Sequence, residues 1–178
     1  MLRVAALAYH ETEGLIVRIE ATGLAPDLEL VWAYGGVNDQ RGARDGDIGT
    51  ERVPISQWFQ LSPDFCQDNA VELTAGSFTL RAKAATITGL VPTGASLTTA
   101  DASRWNDLPA LLRPDPDSFS SRPMVVGRAP LTNNAPLFLS LQRLATNNTP
   151  AADLDTYREV TAPGGARCPQ RACPKPAS

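Results

Sequence analysis

The residue types best suited to chemistry are concentrated in one segment, Trp32 to Gly49 (WAYGGVNDQRGARDGDIG), which leaves an apolar run and becomes polar and glycine-rich. Arg41 and Arg44 carry planar guanidinium groups that can grip a carboxylate through two parallel hydrogen bonds. Asp45, Asp47 and Glu51 can accept from sugar hydroxyls or from those arginines. Trp32 and Tyr34 alternate with Val31 and Ala33, so they project from one face of an extended segment, where an aromatic platform would stack on a sugar ring. Gly35-Gly36 breaks the strand, because a residue without Cβ tolerates the positive φ of a tight reversal. The plainer reading stands beside this one. Mixed charges on a loop are usually solvated or weakly paired, and a tryptophan at a strand end usually packs in a core. A calcium loop would use the same carboxylates, but the twelve-residue spacing of an EF-hand is absent.

The sequence removes most other chemistry. With one histidine, His10, a multi-histidine metal centre is excluded, and a serine or cysteine triad would have only that base. His10 stands among Glu11 and Glu13, in keeping with an exposed turn. No nucleophile elbow, phosphate loop, dinucleotide fingerprint or paired CxxC occurs, and three cysteines with one histidine do not space a zinc site. No cofactor is expected. Cys66 reads as a buried free thiol. A net charge of −3 gives no basic footprint for nucleic acid. The run from Leu2 to Ala8 is interrupted by Arg3, lacks a cleavage pattern and is far shorter than the roughly 18 to 20 residues of a membrane span, so neither an export signal nor a span is read.

The elements that must position these residues are short. Fifteen prolines and thirteen glycines punctuate a chain of 178 residues, leaving segments too short for most helices. Gly14 to Thr22 and Leu28 to Tyr34 alternate with period two. Val71 to Leu73 and Phe78 to Arg81 flank TAGS, a connection of hairpin length. Pro123 to Gly127 and Pro136 to Leu144 are further strands, the second alternating Leu137, Leu139 and Leu141 with Phe138, Ser140 and Gln142. Only Ala102 to Leu112 invites a helical turn, with Pro109 inside it. Trp58 and Trp105 read as packing residues. Short strands without alternating helices describe an all-β antiparallel sandwich with long loops. The domain spans 1–160. Residues 161–178, rich in Pro, Gly, Ala and Arg without apolar period, read as a disordered tail.

The ordered succession GLIVRIEATG, LVWAYGG, RGARDGDIGTE, FCQDNAVEL, TLRAKAATITGLVPTGASLTTADASRWND, PMVVGRAPL and PLFLSLQRL resembles domain-of-unknown-function family 4450, over about residues 2 to 158. That resemblance implies the super-sandwich-like region of exported carbohydrate-active enzymes from polysaccharide-degrading bacteria. It extends to polysaccharide lyase family 27, which removes rhamnose from glucuronic acid. It implies a periplasmic or extracellular setting, an acidic oligosaccharide partner, and a helical domain of the same polypeptide that this chain lacks. The chain is then a fragment, inactive alone. A lyase must neutralise the uronate carboxylate, remove the adjacent proton and protonate the leaving oxygen. Residue chemistry offers Arg41 or Arg44 for the first task, and Tyr34 as acid or base given a lowered pKa. The alternatives are a non-catalytic carbohydrate-binding or structural module and an inactive truncated fragment.

Overall fold

The computed structural model describes residues 1–9, 12–37, 62–83, 85–113, 120–143 and 154–161. Its strands, numbered along the chain, are β1 (Leu2–Ala8), β2 (Gly14–Ala21), β3 (Glu29–Tyr34), β4 (Ala70–Thr74), β5 (Ser77–Arg81), β6 (Thr86–Leu90), β7 (Ser96–Asp101), β8 (Pro123–Pro130) and β9 (Leu137–Arg143). They form two antiparallel sheets: six strands in the order β1-β2-β9-β6-β5-β4, and three in the order β3-β8-β7. The chain is therefore an all-β sandwich. The last strand lies in the middle of the larger sheet, with Leu141 opposite Leu15 on one side and Gly89 on the other, so distant parts of the sequence close one ladder.

Each expected strand is present within a few residues at its ends. The TAGS connection closes with Thr74 opposite Ser77 and Gly76 at φ +83°, a conformation that glycine adopts without steric cost. The expected helical turn is also there. Ala102–Arg104 forms a 3-10 turn whose Ser103 amide donates to Asp101 Oδ1 at 2.9 Å. In α1 (Leu108–Leu111) the Ala110 amide donates to Asp107 Oδ1 at 3.2 Å, and Pro109 sits in the first turn, where its missing N–H costs nothing. Three strands, β1, β6 and β7, and the helix α2 (Leu154–Thr161) were not expected.

The sheets meet over Phe78, Val91 and Val125, with Trp32, Tyr34, Val71, Leu73, Leu97, Leu139 and Leu141 packed around them. Two cross-strand pairs shape this interior. Phe78 lies directly opposite Gly89 and Trp32 directly opposite Gly127, and in each pair the aromatic ring occupies the space a Cβ on the glycine would need. A second cluster covers the outer face of the small sheet: Cys66, Ala102, Leu111 and Met124, joined by Ala33, Ala100 and Trp105. Cys66 is the buried free thiol that its composition suggested, and Trp105 is the packing residue.

The outer face of the large sheet departs from the apolar-in, polar-out expectation for β9. Leu139 and Leu141 do face the inter-sheet core, yet Ser140 and Gln142 on the opposite side are buried, at 1% and 3% exposure. Their polar atoms are paired there: Tyr9 Oη donates to Ser140 Oγ at 2.8 Å, and Gln142 Nε2 donates to the same oxygen at 3.0 Å. A central strand has neighbours on both sides, so its outer residues stay dry once anything lies over the sheet. Part of that cover is α2, whose Tyr157 ring packs 5.7 Å from Phe138.

The tightness of the inter-sheet gap has a measurable consequence. Phe78 is 2% exposed and its ring lies where a Cβ at position 89 would stand, so Gly89→Ala overpacks the core. We expect it to destabilise folding by about 1–3 kcal/mol. The urea midpoint should fall with the slope unchanged, whereas a midpoint equal to wild type would show that the ring is not confined.

Candidate functional site

The glycine-rich segment begins where β3 leaves the small sheet, and its root is built from three separate parts of the chain. Gly35 lies so close to Met124 and to the Cys66 sulfur that no side chain fits there. Gly36 has φ +83°. Its amide donates to the Cys66 sulfur. Val37 is held by a side-chain amide: its N–H donates to Asn69 Oδ1 at 3.2 Å, and Asn69 Nδ2 donates to its carbonyl at 2.8 Å. Asn69 thus copies one rung of a β-ladder with a single side chain. It is itself 8% exposed, which keeps water from competing for those bonds.

Charged groups surround this root. Arg122 reaches Asp64 at 2.9 Å, and its Nε donates to Gln67 Oε1 at 3.2 Å. Burial pushes the Cys66 thiol up, and Asp101 adds to that; Gly36 and Arg122 oppose it without reversing it. Cys66 is therefore a packing group in its neutral form at physiological pH. For Asp101, partial burial raises the carboxyl pKa, but hydrogen bonds from Ser103 and Ser120 and the charge of Arg104 outweigh it, so the net shift is downward.

Of the residues singled out in the sequence, Trp32 and Tyr34 are described, and they do share a face. That face is the interior one. Both rings are partly buried against Phe78, Val91 and Val125, with Tyr34 5.7 Å from Phe78 at an interplanar angle of 39°. What this geometry supplies is packing, not an open platform. The condition set for Tyr34 as acid or base is also not met, because burial raises its pKa instead of lowering it. The Trp32 indole Nε1 is buried with no hydrogen-bond partner among the described residues. Arg41, Arg44, Asp45, Asp47 and Glu51 lie outside the described residues, as do His10, Trp58 and residues 162–178, with Cys168 and Cys173.

A second polar cluster was not foreseen. On the outer face of the large sheet Arg18 pairs with Glu20, and the Arg18 guanidinium stands 5.3 Å from the centre of the Tyr157 ring, a cation–π distance. A cavity of about 210 Å³ beside Glu20 is lined by Met1, Arg3, Thr22 and Asn134 as well. The sequence signal was the alternation of Arg18 and Glu20 along β2. It was legible as a polar face but not as a paired one, because Tyr157 comes from a distant helix. Among the described residues no group of three or more His, Cys, Asp or Glu is placed to hold a metal ion. No helix among them is long and apolar enough to cross a membrane.

Two outcomes test this description of the root. Asn69→Ala leaves the Val37 N–H and carbonyl without their partner and should cost about 1–3 kcal/mol, read as a lower urea midpoint. No change would mean the amide clamp contributes nothing. For Asp101 the pKa is lower in the folded chain, so its stabilisation is complete above the unfolded value of about 3.9 and is lost as pH falls through the folded value. The stability gap between wild type and Asp101→Asn should therefore be widest above that pH and close in stronger acid. A gap independent of pH would refute the assignment.

No curated protein matches the chain. A family model does match, and it covers residues 1–161, which takes in every strand, both helices and the whole loop root. On that match the chain belongs to the family described as a domain of unknown function, DUF4450.

Proposed function

We propose that the chain is the β-sandwich portion of a polysaccharide-degrading enzyme acting on acidic plant glycans, a rhamnose–glucuronate lyase being the specific activity. In this reading the sandwich contacts substrate, and the bond-breaking groups lie on a helical domain of the longer polypeptide. The observation that carries it is the constructed root of the loop. Gly35 seated on Met124 and Cys66, with Val37 held by Asn69, gives the segment bearing Arg41, Arg44, Asp45 and Asp47 a fixed point of departure. A binding group gains affinity when the backbone that presents it is ordered beforehand, since less entropy is lost on association. The arginines would neutralise a uronate carboxylate, and the aspartates would accept from sugar hydroxyls. Tyr34 and Trp32 take the structural part and leave contact with sugar to the loop.

A second reading, a structural module without ligand, is favoured by the inward position of those two rings. Calorimetric titration with a rhamnose-capped glucuronate oligosaccharide separates the two. Binding by the folded chain, weakened about tenfold or more in Arg44→Ala, is expected if an arginine–carboxylate pair of about 1.5–3 kcal/mol is lost. Ultraviolet absorbance should show no unsaturated uronate from this chain alone. A folded sample that takes up no oligosaccharide would leave the structural reading.

A further inference from the structure

The edge of the large sheet at β1 has the properties of a pairing surface. In the β1–β2 ladder the Met1 and Thr22 pair exchanges hydrogen bonds at one end, and the Tyr9 amide donates to Gly14 at the other. Because bonded and non-bonded pairs alternate along an antiparallel ladder, Arg3, Ala5 and Leu7 also direct their N–H and C=O groups toward β2. Leu2, Val4, Ala6 and Ala8 direct theirs away from it, and among the described residues β1 has no second neighbour in the sheet. The side chains there are open as well: Leu2 is 50% exposed and Val4 59%. Natural edges are usually blunted by lysine, proline or a bulge. The strand LRVAALA has no lysine or proline, Arg3 being its one charged residue, and its seven residues pair with β2 in unbroken register.

We infer that β1 is a homotypic interface, pairing antiparallel with β1 of a second copy of this chain to make one continuous sheet across a two-fold axis at Ala5. The register that uses the whole strand sets Leu2 opposite Ala8 of the other copy and Val4 opposite Ala6. All four of these residues carry the outward N–H and C=O groups, so the parity of the ladder is satisfied without a bulge. They also share one face, and each large side chain meets a small one, so the strand is complementary to itself in shape. The sole charge on β1, Arg3, falls opposite Leu7. Its symmetry mate lies four residues further along, about 14 Å at ~3.4 Å per residue and beyond the ~8 Å screening length at physiological salt, so like charges do not oppose the pairing. The other edge of the same sheet, β4, carries Glu72, which in this chain is paired with Arg81. A strand edge of this length buries less than the ~1,200 Å² of a standard interface, so the dimer must be concentration-dependent.

Sedimentation equilibrium of the full 178-residue chain at up to ~1 mM tests this, with amide hydrogen exchange on the same samples. The dimer fraction should rise with concentration, and Val4→Lys should weaken association about tenfold or more by setting two ammonium groups near the axis. In the wild type the amides of Val4 and Ala6 should gain protection as the dimer forms, while those of Ala5 and Leu7 are already protected in the monomer. This alternating pattern needs no variant to fold. A chain monomeric throughout, or a dimer in which Val4 and Ala6 exchange at the same rate at every concentration, would overturn the inference.

Discussion

Two aromatic rings lying over the glycines opposite them set the separation of the sheets, and most of the interior follows from that. Phe78 over Gly89 fills the large-sheet side of the gap, and Trp32 over Gly127 fills the small-sheet side. Glycine is a weak strand former, with no side chain to bury, and is normally a loss inside a strand. Here the loss is offset by the ring that takes its place, which can lie flat against backbone only because no Cβ intervenes. Tyr34, two residues beyond Trp32 on the same face, then reaches Phe78 and ties one sheet to the other. The arrangement is reciprocal: removing the glycine displaces the ring, and removing the ring exposes the glycine.

Having placed β3 over the interior, the same packing decides where the chain leaves the sheet. Tyr34 is held inside, so the backbone turns at once, and Gly35 and Gly36 are the residues that can turn there. Gly35 abuts the second core through Met124 and Cys66, and Asn69 holds the next residue. The loop root is thus an extension of both hydrophobic clusters, with one buried amide completing what the apolar residues begin. A buried amide of this kind is stable only with its partners in place, which makes it a specific rather than an adaptable contact.

The parts of this fold that were legible in the sequence are those whose signal is local. β2 and β3 read with period two, Ile16 being the apolar exception in β2, TAGS carries a turn glycine, and Ala102 to Leu112 invites a helical turn. What was not legible depends on partners distant in sequence. β6 (TITGL) and β7 (SLTTAD) are rich in Thr, Ser and Gly, which mutes a strand signal; Gly89 makes sense as a strand residue only once Phe78 is seen across from it. β1 has three alanines and apolar residues on both faces, which hides its period. Helix α2 is short and polar, and its Tyr157 acquires meaning from Phe138 and Arg18 on other strands. For the candidate site, the break at Gly35-Gly36 was readable, and the shared face of Trp32 and Tyr34 was readable, but alternation names a face without saying which way it looks. Asn69 gave no signal at all, since an asparagine before a strand is ordinary until Val37 is brought to it.

The inward orientation of Trp32 and Tyr34 separates two tasks that the sequence seemed to combine. A ring that ties the sheets together cannot swing out to stack on a sugar without opening the cleft it fills, and for a buried aromatic that costs several kcal/mol, comparable to truncating it. Stacking returns about 1.5 kcal/mol at most, so the core position wins. Nor can the Tyr34 hydroxyl serve as a base while burial holds its pKa above the ordinary value. Under the proposed function, sugar contact in this region is left to Arg41, Arg44, Asp45 and Asp47, whose side chains are chemically suited to a uronate and its hydroxyls. On that reading the two rings on which the sheets depend are not asked to meet sugar, and packing and recognition make no competing demands on them.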